Sequence, residues 1–160
     1  MKATARKTQT GIATVEFAIV ATAFFLIVLG ALEVSRLLFT WNTLDAMTQR
    51  AARVAAVCPP NHSAVKQVGM FGTPGNPANL LIGFTEANLQ IDYLSDTFSN
   101  TAGSLTSSFV RAQVVGYQIQ LIPFVSSIAI TSPAFTSVVP RESLGFIPDT
   151  QSFTCFGSSA

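Results

Sequence analysis

The chain is poor in the residues from which active sites are built. Its 160 residues hold one histidine, two cysteines and one tryptophan, and only 11% are charged. A single histidine and two distant cysteines do not furnish a tetrahedral zinc set. There is no Gly-x-Ser-x-Gly elbow and no discernible Ser–His–Asp constellation. His62 stands in a Pro-Asn-His-Ser turn, where a solvated imidazole is expected rather than a catalytic one. Nine lysines and arginines against eight aspartates and glutamates leave a formal net charge of +1. That balance carries no electrostatic footprint for nucleic acid. Glu86, Asp92, Asp96, Glu142 and Asp149 supply carboxylates, but their spacing pairs none of them. The expectation is a protein with no enzyme activity, no cofactor and no metal.

What the chain has instead is an apolar run over residues 11–32. Lys2, Arg6 and Lys7 precede it, and from Ile12 to Leu32 the only ionisable side chain is Glu16. As a helix this stretch reaches about 31 Å, enough to cross the hydrocarbon core of a bilayer. Lipid offers the backbone no hydrogen-bond partner, so helix is the expected state. The basic residues before the run outweigh Arg36 and Arg50 after it. That asymmetry predicts a single pass with the N-terminus in the cytoplasm and the remainder periplasmic or extracellular.

Glu16 is the exception within the run. A charged side chain inside a span costs about 2.5–3.5 kcal/mol when central and less near an end. Either it lies shallow and snorkels to the headgroups, or it has a partner. A secretory signal cleaved near Gly30-Ala31 is a competing reading of the whole segment. An acidic residue at the head of the apolar region, and Val28 and Leu29 before the cut, speak against it.

The order Gly11-Ile12-Ala13-Thr14-Val15-Glu16-Phe17 resembles the processing site of type IV prepilins and pseudopilins. A short basic leader ends in Gly, an apolar helix follows, and Glu is the fifth residue after the Gly. The resemblance implies a prepilin peptidase that cuts between Gly11 and Ile12. It also implies that Glu16 meets the new α-amino group of a neighbouring subunit. Phe17 directly after the Glu points to the Tad (Flp) branch.

The helical pattern continues past Leu32. Val34, Leu37, Leu38, Trp41, Leu44, Met47, Ala51, Val54, Ala55 and Cys58 recur at three- and four-residue steps. An amphipathic extension is therefore predicted over residues 33–57, stopped by Pro59-Pro60. Asn42 or Thr43 offers a cap for a second helix, so residues 40–43 are a candidate break, the alternative being one unbroken helix over 12–57. The apolar stripe needs cover, either from the chain's own downstream domain or from neighbouring helices that approach at Ala51, Ala52, Ala55 and Ala56. This stretch is similar to the TadE family. Gly30, Glu33, Arg36, Leu44, Asp45, Ala52 and Arg53 stand at the family's places, while Met47 and Thr48 replace its small alanines. The resemblance implies a TadE-like minor pilin or pseudopilin that takes part in assembling a Tad/Flp pilus for adhesion or secretion. Its expected partners are the prepilin peptidase, other Tad pilins and pseudopilins, and the inner membrane. An uncleaved, signal-anchored periplasmic scaffold or binding protein is the alternative.

Residues 59–83 are rich in proline and glycine and read as an irregular connection. Gly69, Gly72 and Gly75 lack the Gly-Lys-Ser/Thr ending of a phosphate loop and read as turn residues. Residues 87–94 and 115–121 alternate apolar with polar, as antiparallel strands do, across a Ser/Thr-rich linker over 95–108. Residues 124–130 read as a short helix or strand, 135–139 as a strand, and 153–156 as another. A Tyr-containing strand, Pro123-Phe124, and a strand ending in Arg141-Glu142 loosely resemble the family's tail.

The expected fold is thus α+β: a leader over 1–11, a transmembrane helix over 12–32, an amphipathic extension over 33–57, and an exported, mainly antiparallel domain over 58–160. Export to an oxidising compartment predicts a disulfide between Cys58 and Cys155, two buried free thiols being the alternative. Such a bond pins the tail to the helix exit.

Overall fold

The computed structural model describes residues 10–76, 78, 80–101, 107–120, 129–143, 145–149, 151–155 and 158–159. The chain divides into two units, Met1–Leu38 and Phe39–Ala160, and one helix, α1 (Thr10–Val57, 48 residues), contributes to both. The leader positions before Thr10 lie outside the described residues.

In the first unit α1 has no interior. Phe17, Ile19, Phe24, Phe25, Leu26 and Ile27 are all exposed, and none of its most apolar window is buried. This is one stretch long and apolar enough to cross a membrane. Its hydroxyls bond back within the helix: Thr22 Oγ1 donates to Ala18 O and Ser35 Oγ to Ala31 O, each at 2.8 Å. An intrahelical acceptor keeps a hydroxyl satisfied where the solvent cannot do so.

From Thr43 the same helix acquires a buried side. Thr43, Leu44, Met47, Thr48, Ala51, Ala52, Ala55 and Ala56 are covered, at the spacing of one helix face. The candidate break at residues 40–43 does not occur, and the unbroken alternative holds. Thr43 Oγ1 donates to Phe39 O at 2.8 Å, so the hydroxyl bonds back into the helix instead of capping a new one. The four alanines do not form an open surface for neighbouring helices, because they are buried in their own unit. Met47 and Thr48 are buried too, so the larger side chains are accommodated.

Residues 59–83 are less irregular than their composition predicts. They contain α2 (Ser63–Gly69), with Ala64, Val65 and Val68 buried. His62 is not a solvated turn residue: its Nδ1 accepts from the Ala64 N–H at 3.2 Å and caps α2. Gly69 also has a packing role. A Cβ there would stand 2.7 Å from Ala51 Cβ, so glycine is what lets α2 approach α1. Gly75, at φ +83° between the paired Thr73 and Asn76, is a turn residue as expected.

A 3-10 turn (Glu86–Asn88) leads into β1 (Leu89–Leu94), so this strand starts two residues after the predicted position. Then come β2 (Phe109–Val114), β3 (Gln118–Gln120), β4 (Ala129–Thr131), β5 (Thr136–Pro140), β6 (Phe146–Ile147), β7 (Ser152–Cys155) and β8 (Ser158–Ser159). The main sheet is antiparallel in the order β1-β2-β5; β3 pairs with β4, and β6, β7 and β8 form a third sheet. The fold is α+β, as expected. The partner of β1 across the polar linker is β2, a strand the sequence reading passed over. Of the described residues 115–120 only those of β3 lie in a strand, and it pairs with β4. Gly116, at φ +65°, separates β2 from β3. Residues 121–128, with Pro123-Phe124, and Phe156 lie outside the described residues.

Pairing registers Leu89 with Val114, Ile91 with Ala112 and Tyr93 with Val110. Opposed residues share a sheet face, so this set forms one apolar side. Tyr93 and Val110 of this set join Ala55, Ala56, Cys58, Val65 and Cys155 in the core, with Val54, Ile91 and Val139 packed against it. Alanine on the helix gives the bulkier strand residues room to approach.

Candidate functional site

Gly11 is already helical, because α1 begins at Thr10. Gly11, Ile12, Val15, Glu16 and Ile19 line one face of the helix, with Ile12 and Glu16 one turn apart. Ile12, Val15, Glu16 and Ile19 are exposed, and so is Phe17 on its other side. Neither salt bridge among the described residues involves Glu16. Nothing lies within 4 Å of the place a Cβ would take at Gly11. The fold therefore has no steric need of glycine here, although glycine inside a helix costs about 1 kcal/mol relative to alanine.

At the other end of the exposed stretch, Arg36 Nη1 donates to both carboxylate oxygens of Glu33, at 2.9 and 3.1 Å. The pair cancels its own charge where the apolar run stops. Asp45 accepts from Gln49 Nε2 at 2.9 Å, and the Arg50 guanidinium lies 5.3 Å from the Phe71 ring centre. Polar residues on this part of α1 are thus partly engaged by their own unit.

The second unit is closed at its tail. Cys58 and Cys155, both buried, form a disulfide across 97 positions, with Cα atoms 5.0 Å apart. The Glu142 N–H donates to Ala56 O at 3.2 Å, tying the segment after β5 to the end of α1. Gly145, at φ +77°, sits where a Cβ would come within 2.8 Å of Pro59 Cδ. Three independent contacts therefore hold the C-terminal sheet at the helix exit.

Of the carboxylates named from sequence, Asp92 is engaged in an ion pair. Asp92 is buried opposite Arg111 in the β1–β2 register, and Arg111 Nη2 and Nε donate to its Oδ2 at 2.7 and 3.1 Å. Gln90 Nε2 donates to Oδ1 at 2.8 Å. The sequence reading missed this pairing, because Arg111 lies in the strand it passed over. Among the described residues no group of three or more histidine, cysteine, aspartate or glutamate side chains is placed to hold a metal. A cleft of about 410 Å³ between α2 and β1 is lined by His62, Lys66, Gln90 and Tyr93, among others. Its polar groups are engaged in the fold: His62 caps α2 and Lys66 Nζ donates to Glu86 O at 3.2 Å. Burial raises the Tyr93 phenol above its ordinary pKa, against a smaller opposing effect of a backbone hydrogen bond with Asn61.

Residues 11–53 match the family model described as TadE-like protein. No curated protein and no solved structure matches the chain.

Proposed function

We propose that this chain is a TadE-like minor pilin or pseudopilin, cut after Gly11 by a prepilin peptidase, that takes part in assembling a Tad/Flp pilus. The observation that carries the reading is Gly11 itself. It is a helical glycine without a packing reason, followed by Glu16 on the same face, inside the stretch that matches the family model. A peptidase that accepts only a small residue before its cut supplies the missing reason. Subunits of this kind act by packing, which agrees with the exposed apolar surface of the first part of α1.

The chemistry of the new terminus follows. Cleavage exposes an α-amino group on Ile12, with a reference pKa of about 7.7–8 and hence largely cationic near neutrality. A carboxylate held in lipid needs such a counter-charge, since an unpaired buried charge is strongly destabilising. The groups of Ile12 and Glu16 meet within one helix or between staggered neighbours, and the second arrangement sets axial register. The basic leader and the disulfide support a cytoplasmic N-terminus and a periplasmic C-terminal domain.

Intact-mass analysis of the membrane-extracted protein tests the proposal. The expected mass begins at Ile12, and Gly11→Lys is expected to accumulate as precursor. Retention of Met1 to Gly11 in cells with a working Tad peptidase would favour the uncleaved scaffold instead. Glu16→Gln then tests the register role: it is expected to leave insertion and cleavage intact while reducing crosslinks to other pilins.

A further inference from the structure

The main sheet ends on β5, and that edge carries backbone groups without a partner. The Val114 N–H donates to Phe135 O at 3.0 Å and the Arg141 N–H to Ser108 O at 2.8 Å, in step with the β2–β5 register. Hydrogen-bonded positions alternate along an antiparallel pair, so residues 135, 137, 139 and 141 face β2. Thr136 and Val138 therefore turn their N–H and C=O groups away from the sheet. Among the described residues no strand lies on that side, and no backbone group bonds to either residue there. Thr136, Val138 and Pro140 are exposed, Val138 to 44%. The opposite edge of the sheet differs. The Val115 N–H donates to Asn88 O at 2.9 Å, so Leu89, Ile91 and Tyr93 are the outward positions of β1. Leu89 and Tyr93 are buried, and Tyr93 O already accepts from the Thr101 N–H and hydroxyl at 2.8 and 2.9 Å.

We infer that β5 pairs antiparallel with β5 of a second copy of this chain, joining the two main sheets into one. A row of unpaired N–H and C=O groups is a template for another strand, and charged side chains or proline are its usual guards. The only such guard within β5 is Pro140, at its end. A head-to-tail contact would seat β5 on the β1 edge of the next copy, and that edge is closed by its own fold. A two-fold contact instead uses the β5 edge twice. Its register follows from Pro140, which has no N–H. Pairing centred on Val138 would set Thr136 opposite that proline and lose a donor on each side. Pairing centred on Ser137 sets Thr136 against the partner's Val138 and Val138 against the partner's Thr136, each pair exchanging both of its hydrogen bonds. It also opposes β-branched side chains across the new strand pair. The outward groups of this edge are thus answered in full by the same edge reversed. The contact is small, and anchorage in one membrane makes it effective by confining both copies. The inference needs the span and the sheet but not leader cleavage, so it stands apart from the reading above.

The test uses the full-length chain in membranes under mild oxidation. In the inferred register the two residues 137 form a non-hydrogen-bonded pair with Cα atoms about 4.5 Å apart, within reach of a disulfide. Ser137→Cys is expected to give a dimer linked through position 137, mapped by mass spectrometry. Its yield should exceed that of Thr136→Cys or Val138→Cys alone about tenfold, because like positions there are diagonal and about 7–8 Å apart. Thr136→Cys and Val138→Cys expressed together are expected to link to each other. Both side chains are exposed, so this mixed pair decides the outcome if Ser137→Cys disturbs the Cys58–Cys155 bond. Val138→Pro removes an outward N–H and leaves the β2 pairing its bonds. Combined with Ser137→Cys it is expected to lower the dimer at least about tenfold while Cys58–Cys155 still forms. No dimer from Ser137→Cys or from the mixed pair overturns the inference. A dimer undiminished by Val138→Pro overturns it too, as does a link from position 137 to a different protein.

Discussion

Ala23 and Ala51 stand in the same helix, yet Ala23 is exposed and Ala51 has no accessible surface. The difference lies in what surrounds them. One turn either way from Ala23, Ile19, Val20, Leu26 and Ile27 are apolar and exposed, in a stretch long and apolar enough to cross a membrane. Ala51 faces Gly69, while Gln49, Arg50 and Arg53 are exposed. One continuous helix therefore has an uncovered apolar part before Leu38 and a packed side after Thr43. Substitutions of the same kind should have different consequences in the two stretches.

The largest effect is expected from the disulfide, because it acts on one stretch only. Replacing Cys58 and Cys155 together by serine removes a cross-link over 97 positions. Loss of such a bond costs about 2–5 kcal/mol. Chemical denaturation of the detergent-extracted protein is expected to show that loss in the exported unit, while membrane integration is unchanged. Loss of integration together with stability would mean the two stretches do not behave separately.

A charge in the span reverses the pattern. Leu26→Arg places a guanidinium at an exposed apolar position, at a cost of about 2.5–3.5 kcal/mol near the middle of a span. Carbonate extraction of membranes is expected to release the variant, and Gln49→Arg, on the exposed side of the extension, is expected to be retained.

The alanines sharpen the comparison further. Ala51→Leu forces extra atoms between α1 and α2, where Gly69 already marks a tight approach, and overpacking costs about 1–3 kcal/mol. Ala23→Leu adds the same atoms facing lipid and is expected to leave denaturation midpoints unmoved. Equal destabilisation by both would show that Ala23 is also covered.

How much of this was legible in the sequence depends on the physics of each element. The span could be read because lipid demands an unbroken apolar run, and the stop at Pro59-Pro60 because proline cannot continue a helix. The lower half of α1 was read correctly as amphipathic, but its alanines were ambiguous, since small residues serve equally against a sheet or against another helix. Whether the helix continues through Thr43 stayed open in the sequence, because a threonine that caps and one that bonds back to residue i−4 look alike there. Strand β2 was overlooked although Val110-Arg111-Ala112-Gln113-Val114 alternates. Its inward Ala112 is a weak apolar signal, and it directly follows a polar linker. Helix α2 is seven residues long, too short for periodicity to stand out from its proline-rich surroundings. The face of Gly11 and Glu16 could be read from spacing alone. The open edge of β5 could not, because only its pairing with β2 decides which backbone groups face outward.

The smallest effect concerns pH and belongs to the exported unit alone. Burial raises the Tyr93 phenol above its ordinary value near 10, outweighing the backbone hydrogen bond with Asn61, and burial does the same to Tyr117. The folded chain thus keeps phenolic protons over a range in which the unfolded chain has released them. Their contribution to stability is complete below about pH 10 and is lost as pH rises through the folded-state values. Denaturation midpoints are therefore expected to fall increasingly above about pH 10. Tyr93→Phe removes the Asn61 hydrogen bond and should start about 0.5–1.5 kcal/mol less stable, yet its midpoint should fall less steeply with pH. Parallel falls in the two proteins would assign the alkaline loss to groups other than Tyr93. The chain has two tyrosines, Tyr93 and Tyr117, and neither lies in the span, so membrane integration should not follow this titration.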